Sequence, residues 1–298
     1  MVRPEKEEDL LQVLISGIVI GTVYAVLALG FSLIWGAARI VNMAYTSFYM
    51  AAAYLFYVFY SLVHLNIFVS AALAVMAASL IGVAMYKFLL EPIRAHETVV
   101  ILVSIVMAFF FEECVLSIFG TTFRSVPPFV SGYREVFGVR VLNQHFLALL
   151  VSIVLIIGLW LFLSRSRTGI AIRATSQDRE IVNVMGISEK RVSLIAISIG
   201  IGFVCVSSVI ITPIYVVEPL MWMHPIIMVL AIVVLGGLGS LKGSFVAAYI
   251  LAFSEVAVVN WIPMGAFIKS AIALLVMVIV LSKRPEGMFG TLFEDERL

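Results

Sequence analysis

An α-helix needs about 20 predominantly apolar residues to cross the hydrocarbon core of a bilayer, and this chain supplies stretches of that kind one after another. They run over 10–35, 44–62, 67–90, 98–119, 145–164, 193–213, 226–240, 244–260 and 266–282. With 63% apolar and 12% charged residues among 298, the chain lies far outside the composition of a soluble globular domain. The pattern predicts an all-α polytopic membrane protein, a single transmembrane domain over 1–298 built as a bundle of about eight or nine helices, some of them broken or half-helices. Nine is the first count. Eight is the alternative, because 226–240 and 244–260 are short and are separated by Gly236-Gly237-Leu238-Gly239-Ser240-Leu241-Lys242-Gly243. The first nine residues hold four acids against two bases, the wrong balance for the basic start of a cleavable signal, so 10–35 is expected to stay as a span.

The longest polar interval between spans is 164–191, SRSRTGIAIRATSQDREIVNVMGISEKR. Its six Lys and Arg outnumber its three acids, which places it on the cytoplasmic side by the positive-inside tendency. Alternating outward from there leaves the N-terminus outside and the tail 283–298 inside, with thirteen basic residues inside against six outside. A short helix is predicted within the interval: Thr175-Ser176-Gln177-Asp178 can cap its start, Gly186 can take the left-handed position after its end, and Ser188 can cap the next helix. A compact helix in such a loop is a surface offered to a partner.

Two glycine-rich breaks interrupt the apolar pattern, one at Gly30, Gly36, Arg39 and Asn42 and the other at 236–243. Irregular backbone at membrane depth is tolerated only where protein or a water-filled cavity satisfies its polar groups, so Gly236, Gly237 and Gly239 are expected to face the bundle interior. The stretches after the breaks are alike, SFYMAAAYL at 47–55 and SFVAAYIL at 244–251. Paired breaks suit a transporter built from repeats with its pathway at their interface; close packing of small residues accounts for them equally well. Asn42, Thr46 and Ser47 either line such a path or cap helices. The outer loop 120–144 passes through Pro127-Pro128 and then alternates over 133–141, which predicts a small hairpin.

The search for chemistry mostly excludes it. A phosphate loop needs Gly before and Ser or Thr after its Lys, whereas Lys242 stands between Leu241 and Gly243. His96-Glu97 opens like a zinc-protease helix, but the second His is replaced by Val100, and no metal site is expected. Cys114 and Cys205 lie in apolar runs and read as small buried hydrophobes. No basic patch points to nucleic acid. Carboxylates inside spans are costly on insertion scales, about 2.5–3.5 kcal/mol each. Glu112-Glu113 are expected near the outer interface, with their carboxylates reaching water or held neutral against backbone. For Glu255, deeper in a short span, a polar pathway lining and a neutral bonded group are both open.

Several motifs, taken in order, resemble the permease subunits of ATP-binding-cassette importers for branched-chain amino acids. Gly21-Thr22-Val23-Tyr24-Ala25-Val26-Leu27-Ala28-Leu29-Gly30-Phe31-Ser32-Leu33-Ile34-Trp35-Gly36 followed by Val41-Asn42-Met43-Ala44 is similar to that family's first span and break. Glu180-Ile181-Val182-Asn183-Val184-Met185-Gly186 resembles the coupling motif E-A-A-x-x-x-G at its Glu and Gly, with Ile181 and Val182 replacing the two alanines. Arg284-Pro285-Glu286-Gly287-Met288-Phe289-Gly290 resembles the ending R-P-x-G-L-x-G. The likeness is to the shorter of the two permease types, and Glu112-Glu113 departs from it by standing where neutral amides are expected.

This resemblance implies a transporter subunit rather than an enzyme, resident in the inner (plasma) membrane. It implies Glu180, Ile181, Val182, Met185 and Gly186 as the coupling surface. Its partners would be a second related permease, two cytoplasmic ATPases that carry the ATP and Mg, an extracytoplasmic solute-binding protein and the lipid bilayer; no cofactor is expected in the chain itself. Asn42, Thr46, Ser47, Gly236, Gly237, Gly239 and Glu255 are the candidate pathway residues. The alternative is an ATP-independent carrier or channel for a small polar solute.

Overall fold

The structure, a computed structural model, describes residues 4–289 apart from 137, 179–181, 183 and 263, with side chains from residue 10 onward. A charged start, PEKEED, followed by an apolar run from Leu10 makes α1 (Pro4–Ala38) 35 residues long, about 50 Å at 1.5 Å per residue. The chain then turns at Arg39 into a 3₁₀ segment, Met43–Thr46, and α2 (Ser47–Tyr57), which ends in a π turn at Val58–Leu62. Helices α3 (Ile67–Met85, with a π turn at Tyr86–Leu90) and α4 (Glu97–Phe119) follow. A hairpin of β1 (Tyr133–Val136) and β2 (Val139–Leu142) leads into α5 (Asn143–Arg165) and α6 (Arg167–Gln177). The rest comprises α7 (Glu189–Ile211), α8 (Met223–Gly236), α9 (Leu241–Trp261) and α10 (Gly265–Lys283).

Seven of these helices are long and apolar enough to span a bilayer: α1, α3, α4, α5, α7, α9 and α10. With the shorter apolar helices α2 and α8 they form the expected all-α bundle, in which some members are broken or half-length. The other two expected segments are helical but short. Helix α8 stops after 14 residues, about 21 Å, because the glycine turn at 237–240 ends it. Helix α2 keeps only 11 residues of α-helix between its 3₁₀ start and π end. The predicted hairpin is present, pairing Tyr133 with Leu142 and Val136 with Val139. The outer loop is also tied back to the bundle, since Arg124 and Val217 exchange backbone hydrogen bonds at 3.0 and 2.9 Å and Phe129 stacks on Phe56.

The bundle is organised about α1, which is largely buried, whereas α10 is mostly on the periphery. Helix α9 runs antiparallel to it: Gly17 lies under the Phe253 ring, Gly21 under Tyr249, and the hydroxyls of Ser32 and Ser244 are 2.9 Å apart. Small residues let these backbones approach where lipid offers no hydrophobic drive to associate. Against α7 the contact is closer still, Gly30 meeting Gly200, with the Tyr45 hydroxyl 3.0 Å from the Leu27 carbonyl and 3.1 Å from that of Gly200. Large apolar side chains such as Leu80, Phe88, Val106 and Ile118 are exposed on the outer helices, as lipid contact requires.

Candidate functional site

Where α8 begins and α9 nears its end, four helices converge on one buried carboxylate. Glu255 of α9 is 3% exposed. The Tyr24 hydroxyl of α1 donates to its Oε2 at 2.7 Å, and Lys269 Nζ of α10 lies 2.8 Å from its Oε1. His224 Nε2 of α8 stands 3.3 Å from the same Oε1 and makes no hydrogen bond. An unpaired carboxylate at this depth would be strongly disfavoured, so the three partners are what allow it there. They are side chains, not backbone.

Beside this cluster lies a cavity of about 370 Å³. Its polar lining is Tyr24, Tyr49, Tyr215, Glu218, His224 and Lys269, and its apolar lining includes Ile20, Val23, Leu27, Val216, Leu220 and Met221. A concave apolar space with a few convergent polar groups is the usual form of a small-molecule site.

The other candidate pathway residues lie elsewhere. The Asn42 side chain caps the 3₁₀ segment, its Oδ1 accepting from the Ala44 N–H at 3.0 Å. The Thr46 hydroxyl donates to the Trp222 carbonyl at 2.9 Å, while the Ser47 hydroxyl is fully buried with no hydrogen-bond partner. None of the three lines the cavity. Glu112 does not reach for the interface: it is 8% exposed and accepts from Trp222 Nε1 at 2.9 Å, whereas Glu113 is exposed. The Trp222 ring also meets Phe109 edge-on, and this packing holds the indole N–H against the carboxylate.

Gly236, Gly237 and Gly239 form a close-packed turn between α8 and α9. Gly236 is pressed against Gly243 so closely that a Cβ on either would collide with the other's backbone. Ser240 starts α9 by accepting from the Gly243 N–H at 3.1 Å. The segment after α10 clasps this turn: Met288 N–H donates to the Leu235 carbonyl at 2.8 Å and Phe289 N–H to that of Gly236 at 3.1 Å. Gly287, at φ +82°, sits where a Cβ would stand 2.6 Å from the Gly237 nitrogen and 2.8 Å from the Val234 carbonyl.

In the polar interval, Val182 and Val184 are helical and Gly186 has φ +79°. The Ile187 N–H donates to the Val182 carbonyl at 3.2 Å, the closing bond of a glycine-ended helix. Val182 is buried, while Val184 and Met185 are 88% and 73% exposed. Glu180 and Ile181 lie outside the described residues. Thr175, Ser176 and Gln177 do not open this helix as expected, because they close α6 instead; the Thr175 and Ser176 hydroxyls bond back to the Ala171 and Arg173 carbonyls. Ser188 does occupy the position before α7, without a side-chain cap bond. The interval is fastened by Arg94 Nη2 to Glu189 Oε2 at 3.4 Å and by Arg39 Nη2 to the Ser176 carbonyl at 3.4 Å.

The sequence model described as "branched-chain amino acid transport system / permease component" matches residues 13–281. The chain belongs to that family. It is 26% identical over 295 residues to the high-affinity branched-chain amino acid transport system permease protein BraD of Pseudomonas aeruginosa, covering 94% of this chain and 95% of the relative. LivH of Escherichia coli K12, likewise a high-affinity branched-chain amino acid transport system permease protein, is 25% identical over the same shares. A probable branched-chain amino acid transport permease LivH of Methanocaldococcus jannaschii is 23% identical, covering 93% and 92%. Among solved structures, PsaBC from Streptococcus pneumoniae in complex with Fab shares the fold, with a TM-score of 0.50 at 13% identity over 92% of this chain and 91% of that one.

As a member of the branched-chain amino acid permease family, the chain is a multi-pass transporter component and not an enzyme. Of the residues in its buried cluster, sequence reasoning singled out only Glu255. Tyr24, His224 and Lys269 escaped because they lie on other helices, Tyr24 being 231 positions from its carboxylate. One signal was available for Lys269: a lone cation just inside an apolar span marks a buried partner by default.

Proposed function

We propose that this permease forms the pathway for branched-chain amino acids in an ATP-binding-cassette importer of the inner membrane. The observation that carries the reading is the correspondence over 94% of the chain with relatives named as branched-chain amino acid permeases. Permeases of this kind work with partner subunits. Here these are a second related permease, two cytoplasmic ATPases that bind the ATP and Mg, and an extracytoplasmic solute-binding protein. The N-terminus lies outside and the C-terminal tail inside, an orientation supported by the thirteen-to-six division of Lys and Arg.

The helix that ends at Gly186 is the ATPase-docking element. Val184 and Met185 offer apolar contact at its tip, and the coupling motif in the sequence runs from Glu180 through Ile181 and Val182 to Gly186. ATPase closure would shift the bundle between inward- and outward-open states through the different contacts the docked helix makes in each. Nothing in the comparisons favours an ATP-independent carrier.

The test is uptake of labelled leucine, isoleucine and valine into proteoliposomes that hold the whole assembly. Uptake that requires ATP, the ATPases and the binding protein is the expected result. Uptake by this chain alone, indifferent to ATP, would replace the reading with the carrier alternative.

A further inference from the structure

The cavity beside Glu255 has a charge layout that a merely apolar passage would not need. Its lining brings one carboxylate, Glu218, together with one ammonium, Lys269, and one imidazole, His224, among aliphatic side chains and three tyrosines. Behind that lining Glu255 fixes the basic groups. Its Oε1 is 2.8 Å from Lys269 Nζ and 3.3 Å from His224 Nε2, while Tyr24 engages Oε2 at 2.7 Å. A lysine ammonium carries three donors. One is directed at Glu255, which leaves two for a ligand, and Lys269 is itself a cavity-lining residue. The His224 Nε2 faces the same carboxylate oxygen at 3.3 Å, which holds the imidazole beside Lys269.

We infer that this cavity is a recognition site for a free α-amino acid with an aliphatic side chain. The ligand's ammonium pairs with Glu218, its carboxylate with Lys269 and His224, and its side chain packs on Ile20, Val23 and Leu220. Tyr24 and Glu255 act as positioning residues that hold the basic end of the site. Both charged ends of the ligand are matched, so an analogue lacking either one leaves Glu218 or Lys269 without its ligand partner and is rejected more strongly than one with an altered aliphatic part. The inference rests on the transport reading above.

Initial uptake of leucine, leucinamide and 4-methylpentanoate, measured in the complete reconstituted assembly, tests it. Leucinamide lacks the carboxylate and 4-methylpentanoate lacks the ammonium, and only leucine should be taken up. Glu218→Gln and Lys269→Gln should each slow leucine uptake about tenfold or more, the scale of a lost charge-assisted hydrogen bond. Glu218→Asp and Lys269→Arg, which keep the charges, should retain most of it. Co-purification of the ATPase subunits with each variant, read in parallel, shows whether the complex has assembled. Wild-type rates in both neutral variants would overturn the site and leave the transport reading standing. Equal loss in the charge-keeping and neutral variants, with assembly intact, would also overturn it, since charge would not be what matters. Failure of the wild-type assembly to take up leucine would instead overturn the transport reading.

Discussion

The indole N–H of Trp222 donates to Glu112 at 2.9 Å in a setting that leaves the carboxylate little access to water. Removing that donor strands a buried acceptor, which costs about 1–3 kcal/mol, whereas removing both partners costs far less. Trp222→Phe is therefore expected to lower the thermal unfolding temperature in detergent, and Trp222→Phe combined with Glu112→Leu to recover most of the loss. A double variant no more stable than the single one would show that the indole contributes through packing alone. The depth of Glu112 was not legible in the sequence: the adjacent pair Glu112-Glu113 reads as an interfacial feature, and only the helix rotation separates a buried member from an exposed one. Glu255 was legible as an anomaly within a span. Its partners were not, because the residues that neutralise it meet only after α1, α8, α9 and α10 have packed.

Helix ends were the most readable elements, because a glycine or a serine states its backbone requirement locally. Gly186 takes the left-handed conformation expected of it, at φ +79°, with open space around its Cα. Gly186→Asp should accordingly insert and assemble but lose ATP-driven uptake, since a Cβ resists that backbone and an acid enters the docking surface. Normal uptake in reconstituted vesicles would remove the docking role from this turn. Helix α6 was missed for the opposite reason: its polar face reads as loop, and its start is set by a short-range bond, the Ser166 hydroxyl accepting from the Gly169 N–H at 2.8 Å. The tail clasp also escaped the sequence, which carried the motif but not its receptor. Gly287→Val should undock 287–289 from the turn after α8, because the side chain would fall on the Gly237 backbone. Limited trypsin digestion of inside-out vesicles, followed at the Lys283–Arg284 bond, checks this. The variant should be cut several times faster than wild type, and equal rates would mean that the clasp survives.

Among the described residues seven helices are long enough to span a bilayer, and α2 and α8 are shorter, so the orientation proposed from the basic residues has a direct test at the two faces. Single cysteines, introduced after Cys114 and Cys205 are replaced by Ala, answer this. Ser131→Cys, in the exposed loop before β1, should react with a membrane-impermeant maleimide on intact cells, and Met185→Cys should react only after permeabilisation. The reverse pattern would invert the orientation and with it the docking assignment. The periphery was easy to read from hydropathy and the interior was not, since the central contacts are glycines of α1 against α7 and α9, where what matters is the absence of a side chain. The clasp of 287–289 on the carbonyls of Leu235 and Gly236 adds an order in time. Synthesis delivers α8, the glycine turn, α9 and α10 before it delivers the residues that close over them. A nascent permease can therefore complete its spans and still lack this bond, so the clasp forms as a late seal over helices already made.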